Sequence, residues 1–295
     1  MVLVDSQGQF RSGRRTSLPE SSTVDLERVA QRDLLAVDVD NTIVGHSGND
    51  AMLEQEFAEF LAESGAGPQL VRAARAGLSI AVVTGNSMPD LCQRALPLIV
   101  EVLALSKNPE LIEAFIFYCC GAGVRARFSL ADRELRDAID ANRDGTDGSA
   151  VCRAMLDIVI EKVQVQGELQ ERIAPRFLDF GYFRETRFDE KDEAAVRDYI
   201  EELLSGFDFT KNPPPQFHPR YVEHLDEHGL LVAGTAQMNV RPIGDNDERG
   251  QFAATLRRRL DDLAHGRYDV RITGTASVDV ARAELDKAKA VEFEI

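Results

Sequence analysis

The sequence predicts an α/β protein: a parallel sheet core interrupted by an inserted α+β domain. Three observations carry this. Residues 34–37, 78–83 and 114–120 are short apolar runs without helical period, and helix-like stretches separate them. Parallel strands covered on both faces read as such runs, and strands alternating with helices build right-handed βαβ units. Beyond about Val124 the alternation gives way to strands and helices in mixed order, which reads as a separate α+β unit. The expected division is a flexible segment over 1–30, a core over 31–126 and 281–295, and an inserted domain over 127–280.

The elements follow in order. Residues 1–24 mix Ser, Gly, Arg and Gln with little periodicity, and residues 25–32 suit a short helix. After the first apolar strand a helix runs over 49–63, with Met52, Leu53, Phe57, Phe60 and Leu61 on one face. Residues 65–68 (Gly-Ala-Gly-Pro) break it, and a second helix covers 69–76, stopped by Gly77. The strand at 78–83 leads through Thr84, Gly85 and Asn86 to Ser87, an N-cap for a helix to about Ala104 with Pro89 in its first turn. Helices are expected over 129–142, 149–166, 189–204 and 247–264. Strands are expected over 175–188, 221–224, 229–234, 236–241, 269–273 and 276–280. Residues 140–145 spell the start of a calcium loop, but its twelfth position is Val151, so a plain acidic loop is expected. A last helix opens near Lys287.

Bulk properties narrow the function. The 295 residues are 44% hydrophobic and 28% charged, ample for a sizeable core. Fifty acids against 34 bases give a net charge of -16, which repels nucleic acid and anionic membrane. An anionic substrate would need a metal or local Lys and Arg to offset that field. Cys92, Cys119, Cys120 and Cys152 form no CxxC pair and sit in apolar surroundings, as free thiols in a reducing compartment do. No apolar run reaches the roughly 18 residues of a membrane span, and no signal-peptide core opens the chain. A cytoplasmic protein without membrane or nucleic-acid partners is expected.

The candidate chemistry lies at the strand ends. Asp38 and Asp40 come where the first strand should stop, and ligands of open α/β sheets sit beyond the carboxyl ends of the strands. Extended backbone would send both carboxylates to one side, where they need a cation or a shared proton. Mg2+ suits such hard oxygen ligands. A polar turn capping the next helix is the plainer reading of the same residues. Thr84 and Gly85 end the second strand in the same way, one offering a hydroxyl and the other a close backbone approach.

Three segments together resemble the haloacid dehalogenase superfamily. Residues 38–42 (Asp-Val-Asp-Asn-Thr) resemble its first motif, 82–86 (Val-Val-Thr-Gly-Asn) its second, and Asp286-Lys287 its third. The middle block resembles the large α/β cap of sugar-phosphate phosphatases and eukaryotic-type phosphomannomutases. Residues 238–244 (Met-Asn-Val-Arg-Pro-Ile-Gly) are similar to a cap segment of those mutases, and 277–280 to its closing strand. The likeness covers about 33–293. It implies a Rossmann-like parallel core and an Mg2+-dependent phosphatase acting on a small phosphate ester, a sugar phosphate by preference.

The resemblance implies residue roles as well. Asp38 would be the nucleophile, forming an aspartyl phosphate, and Asp40 the general acid and base. Asp38 and Asp40 would hold the metal. Thr84 would hydrogen-bond the phosphoryl group, and Lys287 would offset its charge, with Lys289 the competing candidate. Thr42, Gly85, Asn86, Arg220, Asn239 and Arg241 are the candidate substrate contacts. A mutase of the phosphomannomutase type is the alternative, with Arg241 holding a second phosphate; Thr84, which differs from the residue in those mutases, favours the phosphatase.

Two features depart from the pattern. Asn41 replaces a glycine, and no acidic fourth motif follows Lys287 before Ile295. Gly244-Asp245-Asn246-Asp247 imitates its spelling but precedes Lys287, and reads as a turn into a helix. A fragment of a longer protein, a second polypeptide or further copy supplying the missing strands, and a non-catalytic binding homologue are the three explanations. The missing strand should pair beside the Asp38 strand, so its absence would expose a sheet edge there.

Overall fold

A computed structural model describes residues 2–4, 10–12, 34–39, 66–143, 148–165, 168–210, 214–225, 231–264, 266–274 and 276–294. The expected helix over 49–63, the candidate residues Asp40 and Thr42, and most of the 1–30 segment lie outside them.

The chain divides into two compact units. The first, residues 1–119, 125–178 and 290–295, is built on a six-stranded sheet. Its centre is β3 (Leu34–Asp38), β4 (Ser79–Val83) and β5 (Phe115–Cys119). They pair in parallel, with Asp38 opposite Val83 and Val83 opposite Tyr118. Leu34, Val37, Ile80, Val82, Phe115 and Phe117 are all buried. Burial on both faces is why these strands read as unbroken apolar runs.

The connections follow the expected βαβ order. Helix α1 (Ala66–Arg75) precedes β4. It starts earlier than the pattern suggested, because Pro68 is tolerated in a first turn, where its missing N–H costs nothing. Between β4 and β5 run α2 (Met88–Asp90), a π-helical turn over Leu91–Ala95 and α3 (Leu96–Leu105).

The edge beside β3 is not open. Strand β1 (Val2–Val4) pairs antiparallel with β3, and β2 (Phe10–Ser12) pairs with β1. The expectation of a flexible segment over 1–30 is corrected for these residues. An unpaired edge strand presents a row of unsatisfied backbone groups, which this hairpin covers with its own.

On the far side β6 (Val124–Arg127) completes the sheet. Helices α4 (Arg133–Ala141) and α5 (Gly148–Val159) follow. Asp132 caps α4, its carboxylate accepting from Leu135 N at 2.9 Å. The helix expected to reach 166 ends at Val159 and continues as a hairpin, β7 (Ile160–Val165) with β8 (Glu168–Ile173). Residues 160–165 (Ile-Glu-Lys-Val-Gln-Val) alternate only over the last three, and their three β-branched residues are the strand signal that the helical reading overlooked. The α5 helix packs on α3 so closely that a Cβ on Gly148 would stand 3.1 Å from the Ala104 carbonyl carbon. That packing is why 125–178 belong to the first unit, and the expected division at 127 is corrected accordingly.

The second unit comprises residues 120–124 and 179–289. The stretch 175–188, expected as a strand, is instead a short 3-10 turn (Pro175–Phe177) and α6 (Phe180–Thr186). Asp179 caps α6 by accepting from Tyr182 N at 2.9 Å. Tyr182, Phe183 and Thr186 are buried at helical spacing, which the aromatic alternation had masked. Helix α7 (Glu190–Gly206) and helix α8 (Asn246–Ala264) then pack on a four-stranded antiparallel sheet. Its strands are β9 (Gln216–Leu225), β10 (Leu231–Arg241), β11 (Tyr268–Thr273) and β12 (Ser277–Arg282), in the order β11-β12-β10-β9. The two strands expected over 229–241 are one, with a bulge between Thr235 and Gln237. Val196, Ile200, Phe252 and Leu256 from the helices meet Met238, Val240, Val278 and Val280 from the sheet.

The link into this unit is a left-handed turn. Cys120, Gly121 and Ala122 have φ of 54°, 64° and 73°. Each non-glycine residue there costs about 1–2 kcal/mol. The turn is clamped by Tyr182 Oη donating to the Ala122 carbonyl and Thr186 Oγ1 donating to that of Gly123, both at 2.6 Å.

Candidate active site

The parallel register brings Asp38 and Thr84 to one edge. Asp38 lies opposite Val83, and Thr84 is the next residue on β4, so both motif residues end neighbouring strands at the carboxyl side of the sheet. Asp38 is half-buried, and its Oδ1 accepts from Val39 N at 2.9 Å. That bond holds the carboxylate against its own strand end.

Thr84 is buried. Its backbone N donates to the Tyr118 carbonyl at 2.9 Å, tying it to β5. Its Oγ1 accepts from Asn86 N at 3.0 Å. This is a threonine turn, in which a side-chain oxygen replaces a backbone acceptor. A hydroxyl offers one donor and two acceptor sites, so the Thr84 oxygen is oriented while its hydrogen is kept for donation. Gly85 faces open space: a Cβ there would meet nothing within 4 Å. Ser87 then starts α2 with a capping box, Ser87 N donating to Asp90 Oδ2 at 3.2 Å and Asp90 N donating to Ser87 Oγ at 3.4 Å. Strand end and helix cap thus occur together in one segment.

Lys287 is the first residue of α9 (Lys287–Glu294) and is exposed. Asp286 accepts from Lys289 N at 2.8 Å and so caps the helix. Lys287 is assigned to the second unit, whereas Asp38 and Thr84 are in the first. Asp245, the false fourth motif, accepts from Asp247 N at 2.7 Å and Glu248 N at 3.0 Å, a turn into α8 as its sequence suggested.

The remaining candidates lie on the sheet of the second unit. Valines and Met238 point to the helices, so Gln237, Asn239 and Asp279 share the opposite face. His218, Asn239, Asp279 and Arg271 form one cross-strand row. Asp279, buried at 4% exposure and not singled out from the sequence, is its hub. It accepts from Gln237 Nε2 at 2.8 Å, from Thr273 Oγ1 at 2.7 Å and from Asn239 Nδ2. An ionised carboxylate only accepts, so the Asn239 amide must turn its nitrogen inward. Its Oδ1 is thereby left buried without a hydrogen-bond partner. Arg220 donates to Gln237 Oε1. Arg241 is exposed and pairs with Gln216. Burial, then Arg241 and Arg220, push the His218 pKa down. The signal for Asp279 was an acid between two valines in a strand, where alternation forces it to the polar face.

All four cysteines are buried free thiols. Among the described residues no helix is long and apolar enough to cross a membrane.

The chain matches no family model and no curated protein. Solved structures do match. One is an N-terminally truncated, IMP-bound IMP-nucleotidase of Plasmodium falciparum, at 10% identity and a TM-score of 0.49, covering 88% of this chain and 55% of that one. Another is a haloacid dehalogenase-like hydrolase from Bacteroides thetaiotaomicron, at 9% identity and 0.44, covering 88% and 74%. A third is the C-terminal domain of a C. albicans trehalose-6-phosphate phosphatase, at 12% and 0.44, covering 90% and 63%. The chain spans about half the length of the nucleotidase structures it matches.

Proposed function

We propose that this chain carries the phosphoryl-transfer site of an Mg2+-dependent phosphatase that hydrolyses a small phosphate ester, a sugar phosphate by preference. The observation that supports it best is the placement of Asp38 and Thr84 at adjoining parallel strand ends. A nucleophile and a hydroxyl donor for the same phosphoryl group need that proximity.

In this reading an Asp38 carboxylate oxygen attacks phosphorus and the ester P–O bond breaks. Asp40 gives its proton to the departing oxygen. Asp40 then takes a proton from water, whose oxygen attacks phosphorus and releases Asp38 and inorganic phosphate. Thr84 donates to a phosphoryl oxygen, and Lys287 supplies positive charge to the transferring group. Gly85 and Asn86 border the phosphate, Thr42 follows the nucleophile, and Arg220, Asn239 and Arg241 recognise the rest of the substrate.

The donor chemistry fits a hard cation. A half-buried aspartate at a strand end is what Mg2+ takes, one or two carboxylates sufficing beside water and phosphate oxygens. Among the described residues no group of three or more His, Cys, Asp or Glu could hold a metal. Asp38, with Asp40, would hold Mg2+, which would supply charge neutralisation between carboxylate and phosphate.

Hydrolysis of p-nitrophenyl phosphate tests the reading. Turnover with Mg2+, lost with EDTA and lost in Asp38→Asn, is expected. A folded wild type that shows no turnover on this ester or on hexose phosphates would replace catalysis with binding. Interconversion of hexose phosphates, stimulated by a hexose bisphosphate, would replace the phosphatase with a mutase.

A further inference from the structure

Among the described residues, β11 is one edge of the sheet in the second unit. Two backbone bonds fix which way its groups face. Ala283 N donates to the Arg267 carbonyl at 2.8 Å, continuing the register that pairs Tyr268 with Arg282. Ile243 N, just beyond β10, donates to the Ala276 carbonyl at 2.8 Å on the other side of β12. Backbone groups of an antiparallel strand alternate in direction. Asp269, Arg271 and Thr273 therefore bond to β12, and the backbone groups of Tyr268, Val270 and Ile272 turn outward.

An arginine sits at the middle of that outward row. Arg257 Nη2, from α8, donates to the Val270 carbonyl. Its Nε lies 3.8 Å from Asp269 Oδ1, and Arg271 Nε donates to Asp269 Oδ2 at 3.0 Å. The Val270 side chain packs toward the helices, so that of Asp269 lies on the opposite face. To reach both, the Arg257 side chain must wrap round the edge of the sheet. Val270 is buried, whereas Ile272 is 52% exposed.

An edge strand is a template for a further chain unless something blunts it. On the opposite edge Pro219 of β9, which pairs with Met238, has no N–H to offer. Strand β11 holds Tyr268, Val270, Ile272 and Thr273, all strand formers, and no proline. Its charges suit a second copy of itself. Two copies of β11 paired antiparallel about Val270 would set Asp269 of each opposite Arg271 of the other, and Tyr268 opposite Ile272.

We propose that Arg257 is an edge guard: by taking the Val270 carbonyl it holds β11 shut against pairing with a second copy of this chain. Such pairing must displace two guards, one from each copy. A hydrogen bond to a charged group is worth about tenfold or more in an equilibrium constant, so the two hold self-association down at least about a hundredfold.

Sedimentation equilibrium of the full chain tests this. Self-association is expected to be at least about a hundredfold tighter in Arg257→Ala than in wild type. It should be unchanged in Arg258→Ala, the exposed neighbour on α8. Adding Arg271→Asp to Arg257→Ala should return association to the wild-type level, because like charges then meet across the edge. Adding Asp269→Arg to Arg257→Ala should do the same. Mixed together, these two double variants should associate with each other, as the register about Val270 requires. Association of Arg257→Ala no tighter than that of wild type would overturn the proposal. So would tight association that the charge reversals leave unchanged, or a mixture that stays apart, since the contact would then lie elsewhere. Circular dichroism checks the fold of each variant. Where Arg257→Ala does not fold, Arg257→Gln keeps part of the covering stem without the charge and is expected to tighten association at least about tenfold.

Discussion

Asp279→Asn probes the polar face of the second unit with almost no change in shape. In the native sheet two carboxylate oxygens accept three hydrogen bonds: one from Asn239, two from Gln237 and Thr273. The amide has one acceptor oxygen. It serves Gln237 and Thr273 best from the Oδ2 side, and its nitrogen then faces the Asn239 nitrogen. One bond to a charged acceptor is lost, at about 1.5–3 kcal/mol, and a buried donor is stranded. Release from desolvating a carboxylate offsets part of this. We expect a net loss of about 2 kcal/mol. With a urea slope of about 2 kcal/mol per molar, the midpoint of the unit falls by roughly 1 M. Circular dichroism in urea measures it, with exposed Asp261→Asn on α8 as the control expected within about 0.5 kcal/mol of wild type. A midpoint for Asp279→Asn indistinguishable from the control would refute the hub.

Ser87→Ala removes the oxygen that caps α2 and is expected to cost the first unit about 1 kcal/mol, read from urea unfolding. His218 has a folded pKa below its ordinary value, from burial and the nearby Arg241 and Arg220. The unfolded chain therefore binds the proton more readily, and stability should fall as pH drops below about 6.5; His218→Gln should flatten that part of the pH profile. Burial, then Glu101, pushes the Cys152 thiol up to about 11. At pH 8 its thiolate fraction is about one in a thousand, so iodoacetamide should label it in the folded protein far more slowly than after denaturation, as intact mass will show.

The sheet core was legible because double burial leaves a blunt trace. The runs at β3, β4 and β5 could hardly be anything else, and Ser87 ahead of Pro89 spelled its own cap. The misreadings share a cause. In 175–188 aromatics alternate, yet Asp179 caps a helix whose buried face is Tyr182, Phe183 and Thr186. At 160–165 a strand with three β-branched residues was absorbed into the helix before it. Both are junctions where two periods fit a short segment, and tertiary contacts choose between them. The bulge in β10 likewise split one strand into two readings. Asp279 was overlooked because a carboxylate in a strand is indistinguishable from a surface acid until its register partners are known. No local pattern announces the contacts of Glu294 with Arg125 and Tyr118, which are 169 and 176 positions away.

Lys287 sets the role proposed for it against its place in the fold. It opens α9, where the partial positive charge of the helix N-terminus disfavours a cation by about 0.3–1 kcal/mol at low salt. Asp286 caps the helix by accepting from Lys289 N at 2.8 Å. Lys287→Gln should therefore stabilise α9 slightly, by up to about 0.5 kcal/mol, while lowering kcat on p-nitrophenyl phosphate about 100-fold or more. Raising the salt should shrink the stability gain and leave the catalytic loss, because the exposed helix end is screened. Urea unfolding at two salt concentrations and steady-state kinetics read the two effects separately. Loss of stability with full activity would make Lys287 a structural residue and remove it from the site.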